Sequence, residues 1–256
     1  MIKLINNELS KVKKRKIVFI ELLFIITLIL MNKYGKSSLS ILSFNLIPFI
    51  GVVSSILFSG SICFEIESGT MRYYLTKPYK RWKIYLSKLI TIILFVIISI
   101  LIIVIVTTIL ENSFDKEYII KYFKYSVPII FLSSFILFLS TKYKSQVFVS
   151  CTSILTLCFS LMLSQILFGI NITFIEYSFL PYLDFSIFED PMLISDINST
   201  LNVHLSLNKG IIIDMLSTII FCLFGIYRFN KKDIKNWNII CYNVFVEWYV
   251  NYEIIQ

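Results

Sequence analysis

Long runs of apolar residues, separated by short polar segments, dominate the pattern along the chain. An α-helix rises 1.5 Å per residue, so about 20 apolar residues cross the roughly 30 Å hydrocarbon core of a bilayer. The pattern therefore predicts an all-α polytopic membrane protein. Its six predicted transmembrane helices cover residues 17–34, 39–63, 84–110, 126–141, 147–170 and 210–228.

The segments outside the predicted spans include an N-terminal helix, a long outer loop and a tail. In residues 1–16, Ile2, Ile5 and Leu9 recur at helical spacing among lysines, which predicts an amphipathic helix in the membrane interface. Residues 171–209, before the sixth span, form the longest connection, and loops of that length commonly carry structure. We expect residues 1–235 to form a single transmembrane domain and 236–256 a cytoplasmic or interfacial tail.

The basic residues predict how the chain is oriented. The formal net charge is +8, and 57% of residues are hydrophobic. Eighteen of the 24 Lys and Arg residues fall at the N-terminus, in the second and fourth connections and in the C-terminal tail. By the positive-inside rule, both termini are cytoplasmic. Because the bases lie between apolar runs, their excess indicates orientation in a membrane, and we expect no nucleic-acid partner.

Several enzymatic chemistries are absent from the sequence. No GxxxxGK[ST] segment is present, so the chain has no phosphate-binding loop of its own. His204 is the only histidine, which excludes a two-histidine zinc site, and the five cysteines lack metal-ligand spacing. We therefore expect no catalytic residues, no metal and no cofactor bound directly by this chain.

Small residues recur on one face of two predicted spans. Span two carries Gly51, Ser55 and Ser59 at four-residue intervals, a spacing that lets helices approach closely. In span five the corresponding face carries Ser153, Thr156, Ser160 and Ser164. These faces either border a translocation path or pack by hydrogen bonding, and the sequence favours neither reading.

The segment between predicted spans two and three has the most informative pattern, FEIESGTMRYYLTKPYKRWKIYLSK, from Phe64 to Lys88. Gly69 permits a sharp turn, and Thr70 is an acceptable N-cap for a short helix over residues 71–76. Pro78 ends that helix and suits the first turn of the next. The pattern predicts a short charged helix projecting into the cytoplasm, a shape suited to docking on a partner.

This segment resembles the signature of ABC type-2 exporter permeases. That signature reads roughly E-x-E-x-G-T, an apolar pair, K-P-x-x-R and then a lysine one to two turns later. The N-terminal amphipathic helix, the six predicted spans and the long outer loop are also similar to that family, so the resemblance covers about residues 1–235. The matching residues are Glu65, Glu67, Gly69, Thr70, Leu75, Lys77, Pro78, Arg81 and Lys88.

The resemblance implies a permease subunit in the cytoplasmic membrane of a bacterium. Such a subunit works as a homodimer or heterodimer with two cytoplasmic ATP-binding-cassette subunits, which bind ATP-Mg. The short helix between spans two and three couples ATP hydrolysis to transport, and spans two and five border the central cavity. Expected substrates are amphipathic, drug-like or peptide molecules, in antibiotic or bacteriocin export or immunity. The implied coupling residues are Glu65, Glu67, Gly69, Thr70, Leu75, Pro78 and Arg81.

Two other classes remain open. Acids within membrane segments are functional candidates, so Glu21 and Asp214 could serve an ion-coupled secondary transporter. Both lie near predicted span ends rather than at the midplane, where interfacial or packing roles are favoured. The chain could also be a non-transporting membrane protein that confers immunity or assembles a complex.

Overall fold

The computed structural model describes residues 1–13, 26, 46–71, 79–111, 116–143, 145–170, 173–183, 185, 188, 191–201 and 203–231. Within these ranges the chain is almost wholly helical and contains no β-strand. Two 3-10 turns, Thr173–Tyr177 and Leu180–Tyr182, precede α8. The helices are α1 (Ile2–Lys13), α2 (Leu46–Phe58), α3 (Gly60–Glu67), α4 (Arg81–Glu111), α5 (Lys116–Tyr125), α6 (Val127–Lys142), α7 (Gln146–Gly169), α8 (Pro191–Leu201) and α9 (Leu207–Lys231).

Four helical stretches among the described residues are long and apolar enough to cross a membrane. They are Ile47–Ile66, Arg81–Ile109, Ile119–Lys142 and Leu207–Lys231. A fifth is added if the bent α7 counts as one span. The predicted second, third, fourth and sixth spans overlap these stretches, and the fifth overlaps α7. The predicted first span, 17–34, lies outside the described residues.

The third membrane-length stretch, Ile119–Lys142, is longer than the predicted fourth span, 126–141, because α5 and α6 join at Ser126. The Ser126 amide donates to the Tyr122 carbonyl, so the helical ladder continues across the junction. Pro128 lies in the first turn of α6 and donates no bond, and the ladder resumes where the Ile130 amide donates to the Ser126 carbonyl. The lysines and tyrosines of α5 lower its mean hydropathy, so the sequence pattern does not predict that the helix continues from α5 into α6.

Helix α7 bends by 57° between Gln146–Ser160 and Met162–Gly169. The Ser160 hydroxyl, at the bend, donates to the Leu157 carbonyl at 3.1 Å. A hydroxyl bound to a preceding carbonyl competes with the backbone ladder and favours bending. The predicted span over 147–170 therefore contains a bend.

The bundle has two distinct ends. The base carries α1, the Glu67 end of α3, the Arg81 end of α4 and the Asn230 end of α9, which Arg81 joins through a hydrogen bond. The loop end carries the two 3-10 turns, the Leu46 end of α2 and the Leu207 end of α9. Tyr125 packs edge-on against Phe185 there, with ring centroids 5.9 Å apart.

Helix α6 lies at the centre of the bundle and contacts α2, α4, α7 and α9. Most of its side chains are buried, including Ser133 and Ser134, whose hydroxyls donate to carbonyls of their own helix. Self-satisfied hydroxyls can be buried without partners on other helices. By contrast, α9 buries only one side, and Ile212, Leu216 and Leu223 are exposed.

The long connection before α9 is ordered by hydrogen bonds within its described part. Asn198 of α8 donates through Nδ2 to the Leu205 carbonyl at 3.2 Å and accepts from the Leu205 amide at 3.0 Å. These two hydrogen bonds hold α8 close to the start of α9. The described part of the predicted outer loop therefore carries its own helix and turns.

Candidate functional site

A buried lysine organises the base of the bundle. Lys88 lies two turns into α4 and is 2% exposed. Its Nζ donates to Glu8 Oε2 at 3.2 Å and to the Ser61 carbonyl at 2.9 Å. It also lies 2.8 Å from Glu65 Oε2, an ion pair without hydrogen-bond geometry. A lysine this deep requires such partners, because an unpaired buried charge is strongly unfavourable.

Lys11 completes a closed ring of ion pairs. Its Nζ lies 2.8 Å from Glu8 Oε1 and 2.5 Å from Glu65 Oε1. We call Glu8, Lys11, Glu65 and Lys88 the base cluster. Two acids and two bases balance in charge, and three helices, α1, α3 and α4, each supply at least one member. The cluster therefore fixes α1 to the two helices that flank the segment of residues 68–80.

The local sequence explains how each member reaches the cluster. Glu8 and Lys11 are three residues apart in α1, so they share one helical face. Burial raises the pKa of Glu8, but the charges of Lys88 and Lys11 and their hydrogen bonds outweigh it and hold the pKa below its ordinary value. Glu8 therefore stays ionised at neutral pH.

A left-handed turn follows the cluster. Gly69 has φ 71°, and its amide donates to the Ile66 carbonyl at 3.2 Å. Residues with a Cβ rarely adopt that conformation, which explains a glycine here. Thr70 and Met71 return to helical backbone, and Met71 is fully buried. Residues 72–78, which contain most of the predicted coupling helix, lie outside the described residues.

The start of α4 is tied to the end of α9. Arg81 Nη1 donates to the Asn230 carbonyl at 2.9 Å. A base at a helix C-terminus satisfies an otherwise unpaired carbonyl and favours the helix dipole. Deeper in, the Tyr85 ring lies so close to Gly225 that a Cβ there would stand 2.5 Å from Tyr85 Cζ. The base thus links α4 to the last helix as well as to α1.

The predicted coupling residues occupy different environments. Glu65 is buried in the base cluster, whereas Gly69 is half-buried and Thr70 exposed, and the Thr70 hydroxyl donates to the Glu65 carbonyl at 3.3 Å. Glu67 is the last residue of α3. Arg81 is half-buried at the start of α4. Leu75 and Pro78 lie outside the described residues.

Sequence reasoning missed the two cluster members in α1. Glu8 and Lys11 were part of an amphipathic pattern that predicts only an interfacial helix. One feature of the sequence did point to an ion pair: Glu8 is the one acid among the lysines of residues 1–16. A solitary acid on a basic membrane helix often marks a specific ion pair.

The small-residue faces of spans two and five lie against each other. Ser55, Ser59, Ser153, Ser160 and Ser164 are buried and Thr156 is half-buried. Leu157 shares the α7 face of Ser153 and Ser160, and its Cδ1 would lie 2.7 Å from a Cβ added at Gly51. The hydroxyls of Ser55, Ser59, Ser153, Thr156 and Ser160 all donate to carbonyls of their own helix. In this arrangement the two faces are packed together.

The remaining sequence candidates are a histidine and two acids. His204 is exposed at the loop end. Glu21 lies outside the described residues, and Asp214 is fully buried in α9. No group of His, Cys, Asp and Glu side chains suited to a metal ion occurs in the described part of the chain.

These features define the chain as a helical membrane protein whose base is held by buried ion pairs. It belongs to the family described as Protein of unknown function (DUF2705), which matches residues 4–235. No curated protein matches the chain. The family match ends within a few residues of the last described residue of α9, so it covers both the base and the loop end.

Proposed function

We propose that this chain is the permease subunit of an ATP-binding-cassette exporter in a bacterial cytoplasmic membrane. The observation that carries the proposal is the contact between Glu65 and Lys88. These residues are the first and last members of the exporter signature, and they lie on different helices. This ion pair offers a physical reason for the signature, because it holds the helices before and after the segment of residues 69–80 close together.

In this proposal the segment of residues 69–80 receives force from a cytoplasmic ATPase. The segment begins at the end of α3 and ends at the start of α4, so displacement of either end must move a membrane helix. The base cluster couples the two helices to α1, and Arg81 couples α4 to α9. Displacement of the segment would therefore move several helices together, whereas displacement of a free loop would move none.

The proposed topology has six spans with both termini in the cytoplasm. Within the described residues, the base is the more basic end, as the positive-inside rule requires of a cytoplasmic face. Helix α1 lies at the base and Ile47 at the loop end, as a first span at 17–34 would require. The basic residues at the base include Lys80, Arg81, Lys83, Lys88, Lys142, Arg228 and Lys231; those at the loop end include Lys121, Lys124 and Lys209.

The proposed assembly is a dimer of permeases with two ATPase subunits, which hold ATP-Mg. Its proposed substrate is an amphipathic, drug-like or peptide molecule, in antibiotic or bacteriocin export or immunity. Because the serine faces of α2 and α7 are packed together in one copy, they would border a path only after these helices separate. The bend of α7 at Ser160 offers a place for that separation.

Co-purification tests the proposal directly. The tagged full chain, isolated in mild detergent from its native host, should carry a second polypeptide with a GxxxxGK[ST] loop and ATPase activity. Lys80→Glu reverses an exposed charge in the proposed docking segment and should reduce the amount of co-purified ATPase. Lys124→Glu reverses an exposed charge at the loop end and should not.

Two results would overturn the proposal. One is isolation of the intact, folded chain without any cassette ATPase. The other is equal ATPase recovery with Lys80→Glu and with wild type across repeated preparations, which would leave the segment without a docking role.

A further inference from the structure

The loop end contains an acid whose charge has no counterpart among the described residues. Asp214 lies in α9, two turns after Leu207, and is 0% exposed. Neither of its carboxylate oxygens has a hydrogen-bond partner. The base cluster, by contrast, pairs each buried charge with an opposite one. Asp214 is therefore the one fully buried acid in the described part of the chain that lacks any such compensation.

A tyrosine with an unpaired hydroxyl lies beside this acid. The Tyr182 ring packs on Gly210, one helical turn before Asp214 on the same face of α9; a Cβ at Gly210 would lie 2.5 Å from Tyr182 Cδ1. Tyr182 is fully buried and its hydroxyl has no partner. Burial, with the nearby charges of Glu176 and Asp214, raises the pKa of Tyr182, so the phenol remains a hydrogen-bond donor at physiological pH.

The other charged groups at this end do not neutralise Asp214. Lys209 forms an ion pair with Glu176 and lies 4.4 Å from the Tyr177 ring centroid. Residues 127–141 of α6 carry no titratable side chain, and toward the loop end the only one in α4 beyond Lys88 is Glu111, its last residue. Glu176 and Tyr177 act on Tyr182, and Tyr122 and Tyr125 of α5 lie in the same apolar cluster as Tyr182.

We propose that Asp214 and Tyr182 form a proton-binding site at the loop end. In the described arrangement the Asp214 carboxyl is protonated, because an isolated buried carboxylate would be far too costly. Release of the proton requires water or a cation to reach the carboxyl, which in turn requires the turn carrying Tyr182 to move away from Gly210. The site therefore takes up a proton on closing and releases it on opening, whichever energy source drives the protein.

Infrared spectroscopy of the purified full chain tests this site without any transport assay. A protonated carboxyl has a C=O stretching band separate from those of ionised carboxylates and of the peptide backbone. At pH 7.5 the wild-type protein should show this band. Asp214→Asn, which mimics the neutral acid in shape, should abolish it and leave the melting temperature within about 2 °C of wild type. The matched control, Asp196→Asn, removes an exposed acid of α8 and should leave the band intact.

A second variant probes the tyrosine. Tyr182→Phe keeps the ring on Gly210 but removes the hydroxyl dipole near the carboxyl, so the band should shift in frequency while the protein stays folded. The proposal is overturned if wild type lacks the band at pH 7.5, or if the band survives in Asp214→Asn. It is also overturned if Asp214→Asn fails to fold where Asp196→Asn folds, because the neutral mimic would then be incompatible with the site.

Discussion

At the scale of single residues, one glycine sets the geometry of the proposed docking segment. Gly69 adopts φ 71°, two residues after the end of α3 and close to the base cluster. A side chain at this position would press on the following carbonyl, and that strain would be transmitted to Thr70 and Met71. Since Met71 is buried against the core at the base, the turn cannot relax freely.

Gly69→Ala should therefore destabilise the protein by about 1–2 kcal/mol. Gly169→Ala is the matched control, because Gly169 ends α7 and has no atom within 4 Å of an added Cβ. That change should be neutral or stabilise by up to about 1 kcal/mol. Thermal unfolding of both purified variants in detergent measures the difference. Equal melting temperatures would contradict a strained turn at Gly69.

A second prediction at this scale concerns pH. The pKa of Glu8 is lowered by Lys88 and Lys11 from its ordinary 4.5, so its contribution to stability is complete above that value. The contribution is lost as the pH falls through the lowered pKa, and α1 should then detach. Spin labels at Ser10 and Lys80, both exposed, would report a broadened distance distribution. Glu8→Gln should broaden it already at pH 7; an unchanged distribution in that variant would refute the role of Glu8.

At the scale of elements, the base cluster joins helices that are distant in sequence. Glu8 and Lys88 are 80 residues apart, and their contact fixes α1 to the membrane-length helix α4. The two pairs of Lys88 are buried, so screening by salt is weak there and loss of Lys88 leaves uncompensated charge. The charge balance of the cluster should therefore matter more than any single contact in it.

Lys88→Met should be strongly destabilising, by about 3–5 kcal/mol, since Glu8 and Glu65 would then share Lys11 alone. When Glu65→Gln is added, Glu8 and Lys11 are the charged members that remain, so the cluster is neutral again. The double variant should therefore recover at least about 1 kcal/mol relative to Lys88→Met, a non-additive result for residues in contact. Chemical unfolding of the single and double variants makes this comparison. A double variant less stable than Lys88→Met would exclude charge balance as the organising feature.

Some elements follow from the sequence pattern and others depend on tertiary contacts. Apolar runs predict where membrane-length helices lie because burial in lipid requires apolar length, and this holds for Arg81–Ile109 and Leu207–Lys231. The 57° bend of α7 and the continuity through Ser126 depend on individual hydrogen bonds, which hydropathy does not record. The Glu8 pairing depends on how α1 docks, and no local pattern in residues 1–16 specifies that.

At the scale of the whole molecule, charge is arranged differently at the two ends. The base holds a charge-balanced cluster of ion pairs and the exposed Lys80, and the loop end holds a buried acid without a counter-charge, next to Tyr182. Between them, α6 contacts α2, α4, α7 and α9. This arrangement suits a protein that responds at one face to an event at the opposite face.

The central claim, that residues 69–80 dock on a cassette ATPase, is tested most directly by site-specific photo-cross-linking in intact cells. A photoreactive amino acid replaces Lys80 in the full chain or, as the matched control, Lys124; both positions are exposed and lie at opposite ends of the bundle. The account predicts a cross-linked product at Lys80 that contains a cassette ATPase, identified by mass spectrometry, and none at Lys124. Absence of that ATPase from the Lys80 product, or its equal capture at both positions, would contradict the account.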